Sequence, residues 1–404
     1  MNLATEFNPM SPEFQANPYP YYDMLRTHAP AFYWQAANMW FLTRYDDCVA
    51  MLKDNRFGHE ISKVMTREEL GWGEPSQEFA PLWETQRQWM LLKDPPDHTR
   101  LRTLVHKAFT PKMIERLRLR AELITNDLID KAQPHGGMDL INEFALLLPV
   151  TVIAEMLGVP PADYEILHGW SRGIADTLEF FEGEEIAALG TQATVEFSDY
   201  LCKLIAERRK EPKDDLISAL VAAEAEGDKL SESEMVAMCI LLLFAGHETT
   251  VNLIGNGTLA LMRNRDQWEK LKANPALVKS AVEELLRYDS PVQSTSRWAL
   301  EDMDIAGQRI RKGQSVAPMF GAANHDPARF TNPNELDITR DPNPHIAFGN
   351  GIHFCLGAPL ARMEGQIAFR TLAQRLPNLQ IVDESPPYRP TLILRGLAHL
   401  PVTF

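Results

Sequence analysis

The stretch His345-Ile346-Ala347-Phe348-Gly349-Asn350-Gly351-Ile352-His353-Phe354-Cys355-Leu356-Gly357-Ala358-Pro359-Leu360 decides the reading of this chain. After Cys355 the apolar residues fall at 356, 360, 363, 367, 372 and 376, steps of three to five that trace one face of a helix. The cysteine therefore stands just outside a helix N-terminus. Unbonded N–H groups and the positive dipole end favour a thiolate there, lowering its pKa below that of free cysteine. Gly349, Gly351 and Gly357 let the backbone approach something flat and bulky. A thiolate so placed can act as a nucleophile or as a metal ligand.

The pattern Phe348-Gly349-x-Gly351-x-His353-x-Cys355-x-Gly357 resembles the haem-binding signature of the cytochrome P-450 family, with a match at every signature position. The resemblance implies that Cys355 is the proximal thiolate ligand to the iron of haem b, with Phe348, Gly349 and Gly357 against the cofactor. It also implies a fold that is mainly α with small β-sheets and has a long central helix beside the haem. The match runs from Asn17-Pro18-Tyr19 to the last strand, which implies a single catalytic domain over residues 1–404.

Upstream, Ser231 to Met262 contains no proline, and Ser231 with Glu234 forms a capping-box start. The spacing predicts a long spine helix, broken in character by Ala245-Gly246-His247-Glu248-Thr249-Thr250 at its centre. Glycine and threonine are poor helix formers, and a spine helix that breaks its local rules marks a candidate site. The segment resembles the family's acid–alcohol motif. That resemblance implies that Thr249 steadies bound dioxygen, that Glu248 relays protons from solvent, and that Ala245 lies against the haem. His247 is given no role, because the zinc-protease motif HExxH needs a second histidine at 251 and the chain has Val251. Gly255-Asn256-Gly257 lies inside the same helix without a preceding strand, so it is not a dinucleotide loop.

Glu284 and Arg287 lie three apart on one helix face and match the family's Glu-x-x-Arg motif, with Arg329 resembling the arginine that joins them in a structural network. His98 and Arg102, four apart at a helix start, resemble the segment that binds the haem propionates, together with Arg297 and His353. Trp89, Leu242, Ala245, Val292, Gln293, Ile393 and Leu394 match positions near the distal haem face and are expected to line the substrate pocket. The segment 60–92 and a lid around Trp170–Phe181 complete the expected pocket.

Elsewhere the periodicity predicts a hairpin over 31–34 and 39–43. Helices are expected over 46–53, 101–108, 111–132, 143–157, 162–178, 187–209, 276–288 and 356–376, and closing strands over 379–382 and 392–404. The chain has 404 residues, 40 Lys+Arg against 55 Asp+Glu, and a net charge of −15. That balance argues against nucleic acid as the main partner. Four scattered cysteines without CxxC pairs suit a reducing interior rather than a disulfide framework. The N-terminus lacks the pattern of a signal peptide, and the longest strongly apolar run, 236–246, is short of the ~20 residues that cross a bilayer, so a cytoplasmic protein without membrane insertion is expected.

The family resemblance implies a monooxygenase acting on an apolar small molecule (terpenoid, fatty acid or polyketide-like) with O2. Its electrons would come from a separate ferredoxin or flavodoxin with its reductase. A basic stretch, Arg100, Arg102, Lys107, Lys112, Arg116, Arg118 and Arg120, with Glu115 as the main opposing charge, is the expected docking face. Alternatives are a peroxide-driven or non-oxygenating haem-thiolate enzyme and, less well matched, a haem gas sensor.

Overall fold

The computed structural model describes residues 7–404 except 75, 110, 180–182 and 226–229. Its longer helices are α1 (Tyr19–His28), α2 (Tyr45–Lys53), α3 (Asp97–Ala108), α4 (Pro111–Ala132), α5 (Leu147–Leu157) and α6 (Tyr164–Ala175). They continue with α7 (Glu184–Lys210), α8 (Leu216–Ala225), α9 (Glu232–Arg263), α10 (Arg265–Ala273), α11 (Val278–Tyr288) and α12 (Ala358–Arg375). The strands are β1 (Ala31–Trp34), β2 (Met39–Leu42), β3 (Phe57–Gly58), β4 (Gly137–Asp139), β5 (Arg297–Ala299), β6 (Met303–Ile305), β7 (Gln308–Ile310), β8 (Ser315–Pro318), β9 (Gln380–Ile381) and β10 (Pro401–Thr403).

The chain divides into two compact units. One comprises the chain up to Val64, Thr125–Leu146 and Thr249–Phe404; the other comprises Met65–Ile124 and Leu147–Glu248.

Among the described residues, all the strands lie in the first unit. A five-stranded sheet runs β1-β2-β8-β5-β3 and a three-stranded sheet runs β4-β10-β9. The predicted hairpin forms as an antiparallel pair, Ala31 opposite Leu42, and β8 joins β2 in parallel with Met39 opposite Ser315. Their inner faces, with α2, bury Leu42, Tyr45, Met51, Phe57, Ala299, Val316, Phe330 and Ile346 in one apolar cluster. The glycines of 255–257 serve close helix packing. A side chain at Gly255 would strike Ile141, and one at Gly257 would strike the Phe369 ring of α12.

The second unit is helical in its described residues. Leu148, Val152 and Ile153 of α5, Leu167 and Ile174 of α6, Phe197, Leu201 and Ile205 of α7, and Met235 to Phe244 of α9 form its core. A buried ion pair secures the α7–α8 connection. Arg208 Nε donates to Asp215 Oδ2 at 2.6 Å, and Arg208 Nη2 donates to the Gly158 carbonyl. Gly158 has φ +84°, and any β-carbon there would collide with the Asp215 carboxylate. Gly158→Ala therefore combines left-handed strain with displacement of a buried charge, and is expected to cost at least about 2 kcal/mol in a urea melt.

The capping box closes as predicted: Ser231 N–H donates to Glu234 Oε2 at 2.9 Å and Glu234 N–H to Ser231 Oγ at 3.2 Å. The helix that follows has 32 residues, about 48 Å. It is also long and apolar enough to cross a membrane by composition, but 78% of its most apolar window is buried inside the protein. Apolarity all round is what a core helix needs.

Two expectations are corrected. Helix 143–157 begins only at Leu147, because Ile141–Ala145 winds as a wider π turn against Gly255. The strand expected over 392–404 is confined to 401–403: Leu394 makes only an isolated bridge to Val292, and Gly396 packs against the Asn252 side chain. Residues 216–225 and 265–273 form helices that the sequence reading left unassigned.

Candidate functional site

Of the four cysteines, burial pushes the Cys48 thiol far up and Cys239 up to about 12; Cys202 is also raised, mainly by desolvation. The two buried thiols, Cys48 and Cys239, are inert. Cys355 lies instead in a half-buried loop, with Gly357 as the N-cap of α12. Its N–H donates to the Phe348 carbonyl at 3.0 Å, closing a tight loop. The loop bends at Gly349 (φ +70°) and Gly351 (φ +71°).

The two glycines do different things. At Gly351 a β-carbon would collide with the Leu52 carbonyl at the end of α2, so this glycine serves protein packing and not a flat ligand. A β-carbon at Gly349 would meet only the Phe320 ring at 4.0 Å, and one at Gly357 only the Cys355 sulfur at 4.0 Å. Gly357 leaves room beside the sulfur, as a planar group bonded to it requires, and Gly349 leaves the Phe320 side of the loop uncrowded. Arg362 lies one turn further along α12, 4.5 Å over the Phe348 ring, with Nε 2.7 Å from Glu283 Oε1. Its pKa is raised mainly by hydrogen bonding to Glu283, with a smaller contribution from charge on Cys355. The start of α12 is what suits the Cys355 loop to a thiolate metal ligand.

The structure also places the other expected cofactor contacts. Arg297 is 7% exposed on β5, and its guanidinium donates to Thr295 Oγ1 and the Ser296 carbonyl. His353 is met edge-on by His59 at 4.9 Å between ring centroids, a neighbour that sequence spacing could not suggest. In the helical unit, His98 is 2% exposed and Arg102 lies one turn on along α3. Trp89 is fully buried against Phe244, with centroids 4.9 Å apart, and its indole N–H finds no acceptor among the described residues. Within the first unit, the half-buried Cys355 sulfur and the buried Arg297 cation are the kinds of group that an anionic, iron-bearing porphyrin needs.

α9 runs unbroken through the acid–alcohol motif. Along it Leu241 to Phe244 are buried, Ala245, Gly246 and Thr249 are partly open, and His247, Glu248 and Thr250 are buried again. Positions 245, 246 and 249 share one face, so the helix presents small residues and one hydroxyl on an otherwise closed surface. Glu248 is 4% exposed, with Oε1 3.7 Å from His247 Nδ1.

The Glu284–Arg287 pair is fully buried and bidentate, 2.8 Å at both contacts. Its third member is not Arg329. Arg329 is exposed and lies over the Tyr45 ring, whereas Arg340 Nε reaches Glu284 Oε2 at 3.0 Å. Fifty-six residues separate Arg340 from Glu284, so only the folded meander brings them together.

Other expectations also change. Val292, Ile393 and Leu394 do converge, through the Val292–Leu394 bridge and a 2.8 Å bond from Gln293 N–H to the Ile393 carbonyl. The Gln293 side chain, however, turns into the core, accepting from Tyr22 and donating to the Ser290 carbonyl, so it does not line a pocket. Trp170 stacks on Phe197 of α7 and donates to Glu196, which ties α6 to α7 at this point; Phe181 lies outside the described residues. The basic stretch is not opposed mainly by Glu115. Arg100 pairs with Glu234, Arg116 with Asp214, and Arg120 with Glu155, acids brought from distant sequence by folding. Much of that positive charge is therefore neutralised in place.

The comparisons with known proteins agree with this chemistry. A family model described as Cytochrome P450 matches residues 176–395. The polyketide biosynthesis cytochrome P450 PksS of Bacillus subtilis (strain 168) is 45% identical, covering 98% of each chain. The biotin biosynthesis cytochrome P450 of the same organism is 44% identical, again covering 98% of each. Among solved structures, P450BioI in complex with hexadec-9Z-enoic acid ligated acyl carrier protein superimposes with a TM-score of 0.90 at 43% identity, covering 97% of this chain and 99% of that one. With a cysteine loop at a helix start, a long spine helix, and relatives at 43–45% identity over nearly the whole chain, the chain belongs to the cytochrome P450 family of monooxygenases, oxidoreductases that hold iron protoporphyrin IX through a cysteine thiolate.

Proposed function

We propose that this enzyme inserts one oxygen atom of O2 into an apolar small molecule, the other leaving as water, with two electrons from a ferredoxin or flavodoxin and its reductase. The observation that carries this reading is the small, hydroxyl-bearing face of α9 at Ala245, Gly246 and Thr249, next in sequence to the buried acid Glu248. Reductive cleavage of O2 consumes protons, and a wet cavity would release peroxide instead; a buried acid beside a hydroxyl moves protons without admitting bulk water.

When bound, the haem supplies oxygen activation and electron storage. The residues of this chain supply the rest. Cys355 is the iron ligand, its negative charge stabilised by the start of α12 and by Arg362. Arg297, His353, His98 and Arg102 neutralise the propionates, and Phe348, Gly349, Gly357 and Ala245 pack against the ring. Glu248 holds the proton source and Thr249 presents its hydroxyl to the oxygen being reduced. Trp89, Leu242, Ala245, Val292, Ile393 and Leu394 supply apolar walls that orient the substrate and keep water out.

The substrate we favour is a long acyl or polyketide chain. Relatives named for polyketide and biotin biosynthesis, and one solved with a fatty acyl chain on a carrier protein, support that class. The relatives' end-to-end coverage supports a single catalytic domain over residues 1–404. A cytoplasmic location is consistent with the burial of α9.

The test is turnover. NADH, ferredoxin, reductase and a ligand chosen by its high-spin spectral shift should give hydroxylated product. Equal product from hydrogen peroxide alone would favour a peroxygenase instead. Thr249→Ala is expected to lower product per NADH at least about tenfold, the missing electrons appearing as peroxide. Unchanged coupling would remove Thr249 from proton delivery.

A further inference from the structure

The segment His247-Glu248 fails as a zinc motif in sequence because position 251 is Val251. The fold supplies the missing histidine from another helix. His168 of α6 faces His247 of α9 with ring centroids 5.3 Å apart and planes at 88°. One ligand atom from each of His168, His247 and Glu248 lies within 4.8 Å of the other two. Ser171, one turn along α6 from His168, puts Oγ 3.3 Å from His247 Nδ1.

We propose that His168, His247 and Glu248 form a binding site for a zinc ion, distinct from the haem iron. Two imidazoles and a carboxylate are a zinc ligand set with room left for a water or the Ser171 hydroxyl in the fourth position. Bonds of about 2.0–2.2 Å put ligand atoms roughly 3.5 Å apart, so side-chain rotation closes the observed spacing. Burial adds to the case. His247 is 0% and Glu248 4% exposed, and a dication offsets the desolvated carboxylate. His168 is only half-buried and provides the entry path. Ligands from facing helices are a recurrent way of building metal sites in helical bundles. Sequence reasoning missed the site because 79 residues separate its histidines and each taken alone is an ordinary helix residue.

Occupancy would withdraw the Glu248 carboxylate from proton transfer and pin α6 to α9, making zinc a reversible inhibitor. That consequence rests on the proposed role of Glu248, whereas zinc binding does not. The experiment therefore reads binding. Haem-loaded protein is stripped with EDTA, equilibrated with micromolar zinc chloride, desalted, and assayed for zinc and iron by elemental analysis. About one zinc per iron is expected. His168→Ala and His247→Gln should each weaken zinc affinity at least about tenfold, with the reduced carbon monoxide band and the melting curve showing that each variant is folded. A zinc-to-iron ratio near zero, or a ratio that both variants retain because zinc sits elsewhere (at Cys202, for example), overturns the proposal.

Discussion

Cys355→Ala is expected to abolish the absorbance band at about 450 nm of the reduced carbon monoxide complex and to leave no monooxygenase activity. The methyl group keeps the loop's backbone bond to Phe348 and the packing of Gly351 on Leu52, so the polypeptide should remain folded. Only the sulfur is lost, and with it the ligand that sets the iron's electron density. Any haem still retained would then lack the thiolate that gives the band its position. The measurement is the reduced carbon monoxide difference spectrum at matched haem content. A surviving band would refute the assignment of the iron ligand.

The second large effect falls on stability. Glu284 accepts from Arg287, from Arg340, from the Asp337 N–H at 3.0 Å and from Asn343 at 3.1 Å, while being fully buried. Glu284→Ala leaves the Arg287 guanidinium, also fully buried, with no carboxylate among its described partners, which are then the carbonyls of Asn324, Pro333 and Glu335 and the Phe330 ring. Breaking a buried pair by removing one partner costs about 3–5 kcal/mol, because the other charge stays desolvated. The expected result is a protein that largely fails to retain haem, with a sharply lower urea midpoint where it can be purified. Arg340→Ala should show a smaller loss, since Arg287 still pairs with Glu284. Arg329→Ala, at an exposed position over Tyr45, should stay within about 0.5 kcal/mol of the unaltered protein. Equal losses at 329 and 340 would contradict the network described here.

The contrast between 329 and 340 also marks how far sequence reading reaches. Asp326-Pro327-Ala328-Arg329 looks like the family's meander, and resemblance pointed to its arginine. Which arginine turns inward depends on the path of an irregular segment with no periodicity to read. Gln293 makes the same point: its position near Ile393 was legible, but the direction of its amide was fixed by Tyr22, 271 residues away. The opposing acids of the basic stretch were missed for the same reason.

By itself the sequence determined the helical class, the hairpin, the capped spine helix, the helix-start cysteine and the acid beside Thr249. These depend on local propensity, periodicity and spacing, which act over a few residues. Only the tertiary structure decided which arginine completes the Glu284 network, which glycine serves packing and not cofactor access, and that His168 meets His247. Each of those is a contact between chain-distant groups, and such contacts arise from the burial of whole elements, which no short stretch of sequence encodes.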